Sequence, residues 1–229
     1  MNFESPLRPA QYVENQIVTS ILNGTYPQGS ALPNERTLAE KLGVTRQTLR
    51  ETLHRLSREG WVTIHHGKPT VVNNYWENGG MGLLSTMSRY SEYLPNGFVT
   101  HLLEVRSNLL PIIARLSADS APEVLLTYLL QAKTLEDKAE AFSLYDWDLQ
   151  LLMTSHAKNP IYRLIFNDFS WMFESLALQY FSLKKARKIS RSYYLDLYDA
   201  IDRGGKNVER VVHSTMEKSI EIWKGLKGL

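Results

Sequence analysis

Apolar residues recur at helical spacing between residues 8 and 24, at Tyr12, Val13, Ile17, Ile21 and Leu22, and the run stops at Asn23-Gly24. The spacing predicts a first helix. Pro27, Gly29 and Pro33 mark an irregular connection, after which Asn34 stands where an N-cap opens a second helix carrying Leu38 and Leu42, with Gly43 as its C-cap. Thr45 is placed to cap a third helix whose inward stripe is Leu49, Leu53 and Leu56, ending at Gly60. Two short helices around a Gly-containing turn form a helix-turn-helix. The period then falls to two: Trp61 to His65 alternates like a strand, His66-Gly67-Lys68-Pro69 reads as a turn, and Thr70 to Val72 reads as a returning strand. The alternation ends at Trp76 to Gly80. The pattern therefore predicts a winged helix-turn-helix over 1–75, a linker over 76–80 and a second domain over 81–229. That second domain reads almost wholly as helix, with approximate spans 81–91, 97–117, 121–134, 136–156, 160–182, 184–203 and 206–226. The expected fold class is mostly α, an N-terminal winged helix-turn-helix domain plus a C-terminal all-α helical bundle.

With the leucine stripe inward, Gln47, Arg50 and His54 project from the other side of the third helix, and Arg46 lies within reach of Arg50 at i+4. These residues suit duplex DNA. Arg donates two hydrogen bonds to guanine O6 and N7, and Thr45 and Thr48 near a helix N-terminus are suited to phosphate oxygens. An ordinary solvated helix face would carry the same residue types. The tip His66-Gly67-Lys68 is basic and tight, a shape that can approach a backbone or minor groove, although a turn histidine without a partner fits His66 equally well.

Charge sharpens this picture. Residues 1–76 hold eight Lys and Arg against six Glu, whereas the remaining eighteen basic and eighteen acidic residues balance, so the net charge of +2 lies wholly in the first third. Such asymmetry suits a polyanion partner, and a chance fluctuation of two charges gives the same split. With 43% hydrophobic and 22% charged residues the chain is in the globular range. No run approaches the roughly 18 apolar residues of a membrane span, and Met1 to Ala10 lacks an apolar signal-peptide core, so a cytoplasmic protein without membrane association is expected. The absence of Cys removes disulfides, thiolate zinc ligation and cysteine nucleophiles together. No Gly-x-Ser-x-Gly elbow, phosphate-cradling Gly loop or metal-ligand cluster is present either, so the sequence argues against an enzyme.

In the second domain the helix from Gly97 to Ala118 is apolar over most of its circumference, which marks it as a central core element, and Pro111 is expected to kink it. Arg106 sits within this run and needs either an internal carboxylate or an incoming anion. Tyr180-Phe181, Tyr193-Tyr194, Tyr198 and Trp223 load the last helices with aromatic side chains, for which core packing is the ordinary explanation.

The segment LPNERTLAEKLGVTRQTLRETLHRLSREGWVTIHHGKPTVV, Leu32 to Val72, resembles the DNA-binding domain of the GntR family of bacterial transcription regulators. Within that family the wing GKPT, the continuation VNNYWE and the later LLEVRSN and NPIY segments resemble the fatty acid metabolism regulators of gamma-proteobacteria. The resemblance runs from about residue 10 to residue 227 and implies a homodimer that reads a palindromic operator in double-stranded DNA. It places groove or base-reading roles on Arg36, Arg46, Arg50 and His66, and backbone contacts on Thr45, Thr48, Gly67 and Lys68. It also implies that the helical domain binds long-chain fatty acyl-CoA as an effector rather than a cofactor, releasing the operator. Repression of fatty acid degradation and activation of unsaturated fatty acid synthesis follow from the same resemblance. Arg106, Tyr180, Ser219 and Trp223 match ligand-site positions, and Phe98, Leu102 and Leu103 are candidate tunnel walls.

The chain departs from the family pattern at two positions of that site. Met216 replaces a glycine on the last helix that lets CoA lie close, and the terminal lysine position falls at Gly228, with Lys227 and Lys224 as neighbouring substitutes. Many relatives bind a divalent metal through Asp and three His; here Asp146 remains, but the His positions read Leu151, Tyr194 and Met216, so no metal site is expected. A regulator answering to another small anionic metabolite is the alternative that Met216 supports.

Overall fold

The computed structural model describes residues 8–90 and 93–227 and divides the chain into two compact units, Met1–Pro95 and Asn96–Leu229. In the first unit α1 (Pro9–Leu22) starts with proline in its first turn and buries Val13, Ile17, Val18 and Ile21. Asn34 opens α2 (Glu35–Leu42) by accepting from Thr37 N at 3.0 Å, and Gly43 closes it in a left-handed conformation. Thr45 opens α3 (Arg46–Glu59) by accepting from Thr48 N at 3.1 Å. Leu49, Leu53 and Leu56 of α3 are buried, and α3 packs on both α1 and α2.

The hairpin is shorter than its alternation predicts. Only β1 (Val62–Thr63) and β2 (Val71–Val72) pair, antiparallel, with Val62 opposite Val72. The outer edge of β2 is occupied instead by the connection before α2, through a bridge from Ala31 to Val71 and a bond from Leu32 N to Thr70 O. Ile64 to Pro69 is left as an extended loop tip.

The expected linker is not a bare connection. Tyr75–Asn78 forms a helical turn, α4, and Met81–Ser88 forms α5, and both lie in the first unit. The reason is a close approach. Gly60 ends α3 at φ +93°, and a Cβ there would lie 2.4 Å from Asn78 O, so the end of α3 rests directly on the backbone of residues 78 and 79. Polar contacts continue the attachment. Thr86 donates to Glu59 at 2.8 Å, and Tyr90 donates to Asn15 at 2.6 Å. The buried carboxylate of Glu14 takes Arg89 at 2.7 Å and also pairs with Arg55 of α3.

The second unit is a helical bundle of α6 (Phe98–Ser120), α7 (Pro122–Leu129), α8 (Ala139–His156), α9 (Pro160–Ser182), α10 (Lys184–Asp202) and α11 (Val208–Lys227). Its core is built around Leu110, Ile113, Leu125, Phe142, Tyr194 and Val212, with α6 against α11 and α8 against α9. Helix α6 runs unbroken through Pro111, and it is less enclosed than its composition predicts: Val105 is 45% and Ile112 42% exposed. The helix expected to reach residue 134 gives way to a 3-10 turn at Leu130–Thr134, because Arg191 of α10 takes the carbonyls of Ala132 and Leu135 at 2.8 and 2.7 Å. No helix among the described residues is long and apolar enough to cross a membrane.

Candidate nucleic-acid interface and effector cavity

Capping and burial fix which face of α3 is free. Thr45 and Thr48 share a hydroxyl contact of 2.9 Å at its N-terminus, which sets the first turn, and the buried leucines turn Arg46, Gln47, Arg50, Glu51 and His54 outward. Arg46 and Arg50 are exposed, as is Arg36 in the first turn of α2. Among the described residues none of these three has an ion pair or hydrogen-bond partner, so their charge is uncompensated. By contrast Arg55 is spent on Glu14. His66, Gly67 and Lys68 are exposed at the hairpin tip, with Gly67 at φ +69°. Every residue expected to touch DNA is thus on the surface of one unit. Glu51 was missed; its signal is the i,i+4 spacing from Gln47, whose Nε2 donates to it at 3.1 Å.

In the second unit a cavity of about 110 Å³ lies among α6, α8, α9, α10 and α11, with walls that are mainly aliphatic and aromatic. Leu102, Leu103, Arg106, Tyr180, Met216, Ser219 and Trp223 all line it. Phe98 does not: it is buried elsewhere on the first turn of α6. The side chain of Lys227 and the whole of Gly228 lie outside the described residues. Sequence reasoning missed the opposite wall, where Phe166, Phe169 and Phe173 recur along α9 and Trp147 of α8 stacks on Phe173 with ring centroids 4.6 Å apart.

One end of the cavity is polar. Arg106 Nη2 reaches Asp146 Oδ2 at 3.0 Å, Gln150 donates to the same oxygen at 2.7 Å, and Tyr194 OH donates to Oδ1 at 3.0 Å. Both carboxylate oxygens are engaged, which offsets the cost of burying Asp146 at 4% exposure. Tyr180 OH donates to Ser219 Oγ at 3.1 Å. Burial pushes the phenols of Tyr180, Tyr193 and Tyr194 above their ordinary range, so all three remain protonated donors at neutral pH. Two donors in this region, Arg106 Nε and Tyr193 OH, are buried with no hydrogen-bond partner among the described residues. No cluster of three or more His, Asp or Glu converges as a metal site among those residues.

Comparison with known proteins joins these two sites in one lineage. Residues 9–72 match the model of the gntR family of bacterial regulatory proteins, and residues 73–228 match the FadR C-terminal domain. The chain belongs to the GntR family of bacterial regulators, in its FadR branch. Curated relatives called fatty acid metabolism regulator protein, from Serratia proteamaculans and Yersinia pestis, are 38% and 39% identical over 96% of this chain and 92% of theirs. A solved structure of Lar, a Listeria monocytogenes protein described as controlling the agr system, has the same fold at TM-score 0.60 and 17% identity, covering 97% of this chain and 98% of its own. The family boundary falls between residues 72 and 73, whereas the compact first unit of this GntR-family chain extends to Pro95. Residues 73–95 therefore belong by descent to the C-terminal family model and by packing to the head.

Proposed function

We propose that this regulator of fatty acid metabolism binds a palindromic operator as a homodimer, lodging α3 in the major groove of each half-site. The observation that carries the reading is the trio Arg36, Arg46 and Arg50, exposed and unpaired on the capped face of the head. Cations left without carboxylates are available to phosphates and guanine edges. Arg46 and Arg50 read bases, Thr45 and Thr48 hold phosphate at the helix N-terminus, and His66, Gly67 and Lys68 follow the backbone or minor groove.

The effector is long-chain acyl-CoA, bound with its tail in the cavity of the bundle. A tail gains about 0.8 kcal/mol per buried methylene, which favours the apolar walls. The resting cavity of about 110 Å³ is smaller than the roughly 150 Å³ that holds one benzene, so a long chain enters only as the helices part. That displacement is the source of coupling, on the order of 1 to 3 kcal/mol, that lowers operator affinity. Arg106 Nε and Tyr193 OH, buried without partners, are donors for the ligand's thioester or amide carbonyls. Release of DNA by the thioester relieves repression of fatty acid degradation genes and withdraws activation from unsaturated fatty acid synthesis genes.

A second reading, a different small anionic effector, rests on Met216, which is 3% exposed and lines the cavity at a position where the family resemblance implies glycine. A gel shift on a palindromic operator with and without oleoyl-CoA separates the two. Retardation relieved by oleoyl-CoA supports the thioester; retardation that survives saturating oleoyl-CoA supports the second reading; no retardation refutes both. In the same assay Arg46→Ala weakens operator binding by roughly 1 to 3 kcal/mol and relaxes sequence preference.

A further inference from the structure

The reading face of α3 carries one residue that works against DNA affinity. Glu51 is exposed on the same side as Arg46 and Arg50, and a carboxylate there repels phosphates. Arg55, one turn along, could neutralise it but is paired with Glu14. What Glu51 does hold is the amide of Gln47, whose Nε2 donates to Glu51 Oε1 at 3.1 Å.

That bond has a chemical consequence. A carboxylate only accepts, so the nitrogen of the Gln47 amide must face Glu51 and the orientation of the amide is fixed. One N–H is used. The second N–H and the carbonyl oxygen remain free on an exposed side chain in the first turn of the recognition helix, and they lie side by side when Glu51 takes the N–H anti to that oxygen. Adenine is the base whose major-groove edge answers that pair, with N7 accepting and the N6 amine donating. Guanine offers two acceptors, which the Gln47 carbonyl and the Glu51 carboxylate both oppose.

We propose that Gln47 reads an adenine in each half-site and that Glu51 is its positioning residue, holding the amide in the adenine-reading orientation and rejecting guanine at that place. Building on the DNA reading above, this gives the operator one base that the arginines do not specify. The cost to overall affinity is offset by discrimination, which often requires a repulsive element.

The test is selection of duplexes with randomised palindromic half-sites by the full chain and by Gln47→Ala, Glu51→Ala and Glu51→Gln. Both side chains are exposed, so none of the three substitutions removes a core contact. The wild type is expected to prefer adenine at one position per half-site by roughly 5- to 150-fold over the other bases. Gln47→Ala flattens that position alone and leaves guanine preferences intact. Glu51→Ala reduces the adenine preference several-fold while raising total affinity at low salt; Glu51→Gln, whose amide oxygen can accept the same bond, restores the preference. An adenine preference untouched by Gln47→Ala overturns the proposal. So does loss of a cytosine preference in Glu51→Ala with adenine unchanged, which would make Glu51 a direct reader. Failure of the wild type to enrich any duplex removes the DNA reading and this inference together, whereas enriched guanines without a Gln47-dependent adenine remove this inference only.

Discussion

Met216 lines the proposed effector site, and truncating it gives a two-sided prediction. The side chain is 3% exposed, on α11, and borders a cavity of about 110 Å³. Cutting a buried methionine back to alanine generally costs about 2 to 5 kcal/mol. One side of Met216 already faces open space and has fewer contacts to lose, which places Met216→Ala near about 2 kcal/mol. At roughly 2 to 4 °C per kcal/mol for a chain of this size, the effector-free protein should melt about 4 to 8 °C lower. Oleoyl-CoA acts in the opposite direction and offsets part of that loss. Space vacated by the thioether admits the equivalent of one or two more methylenes of ligand, about 0.8 kcal/mol each, or roughly fourfold in affinity apiece. The ligand-induced rise in melting temperature should therefore be larger in the variant than in the wild type. Thermal unfolding of both proteins across an oleoyl-CoA titration measures the two effects at once. An unchanged melting temperature without ligand would mean that Met216 is not packed as described, and an equal ligand shift in both proteins would mean that the thioester does not pass it.

Other consequences concern the head and the polar end of the cavity. Gly60→Ala places a Cβ 2.4 Å from Asn78 O at φ +93°, so urea unfolding should show a loss of about 2 to 5 kcal/mol, against about 1 to 2 kcal/mol for Gly43→Ala, whose Cβ meets open space. Arg106→Leu leaves the buried Asp146 without its cation and should cost about 3 kcal/mol or more in the same assay, because a carboxylate stripped of its partner is expensive to bury. Burial, with the Glu14 carboxylate adding to it, pushes the Tyr90 phenol up to about 12. The folded state thus holds that proton more tightly than the unfolded chain, near 10, so this contribution is whole below about pH 10 and is lost as pH rises toward 12. Urea midpoints of wild type and Tyr90→Phe compared at pH 9 and pH 11 should show the wild type losing more.

Local chemistry wrote the helices legibly. Asn34, Thr45, Gly43 and Gly60 stand at helix ends in the structure because capping depends on a side chain and backbone within three or four residues. Features that depend on distant partners were not legible. The turn at residues 130–134 is shaped by Arg191, some sixty residues away, and the outer edge of β2 is taken by Ala31, forty residues up the chain from Val71. The attachment of residues 75–90 to the head rests on Glu14, Asn15 and Glu59, which no local pattern pairs with Arg89, Tyr90 and Thr86. In the cavity, the need of Arg106 for a partner was readable, but Asp146 as that partner was not, since forty residues separate them. Residues proposed for DNA were legible as a group because all of them lie within one short, locally folded stretch. The aromatic wall of α9 was hidden because a stripe of Phe at helical spacing looks the same whether it faces a core or a cavity.

The proposed operator binding depends most on uncompensated arginines gripping a duplex. Fluorescence anisotropy of a labelled palindromic duplex, titrated with wild type and with the Arg46→Ala, Arg50→Ala double variant across 50 to 200 mM salt, measures this directly. The expected result is tight wild-type binding at low salt that falls steeply and linearly on logarithmic axes, with a weaker, shallower line and little sequence preference for the variant. Coincident lines for the two proteins, or no wild-type binding at the lowest salt, would contradict it.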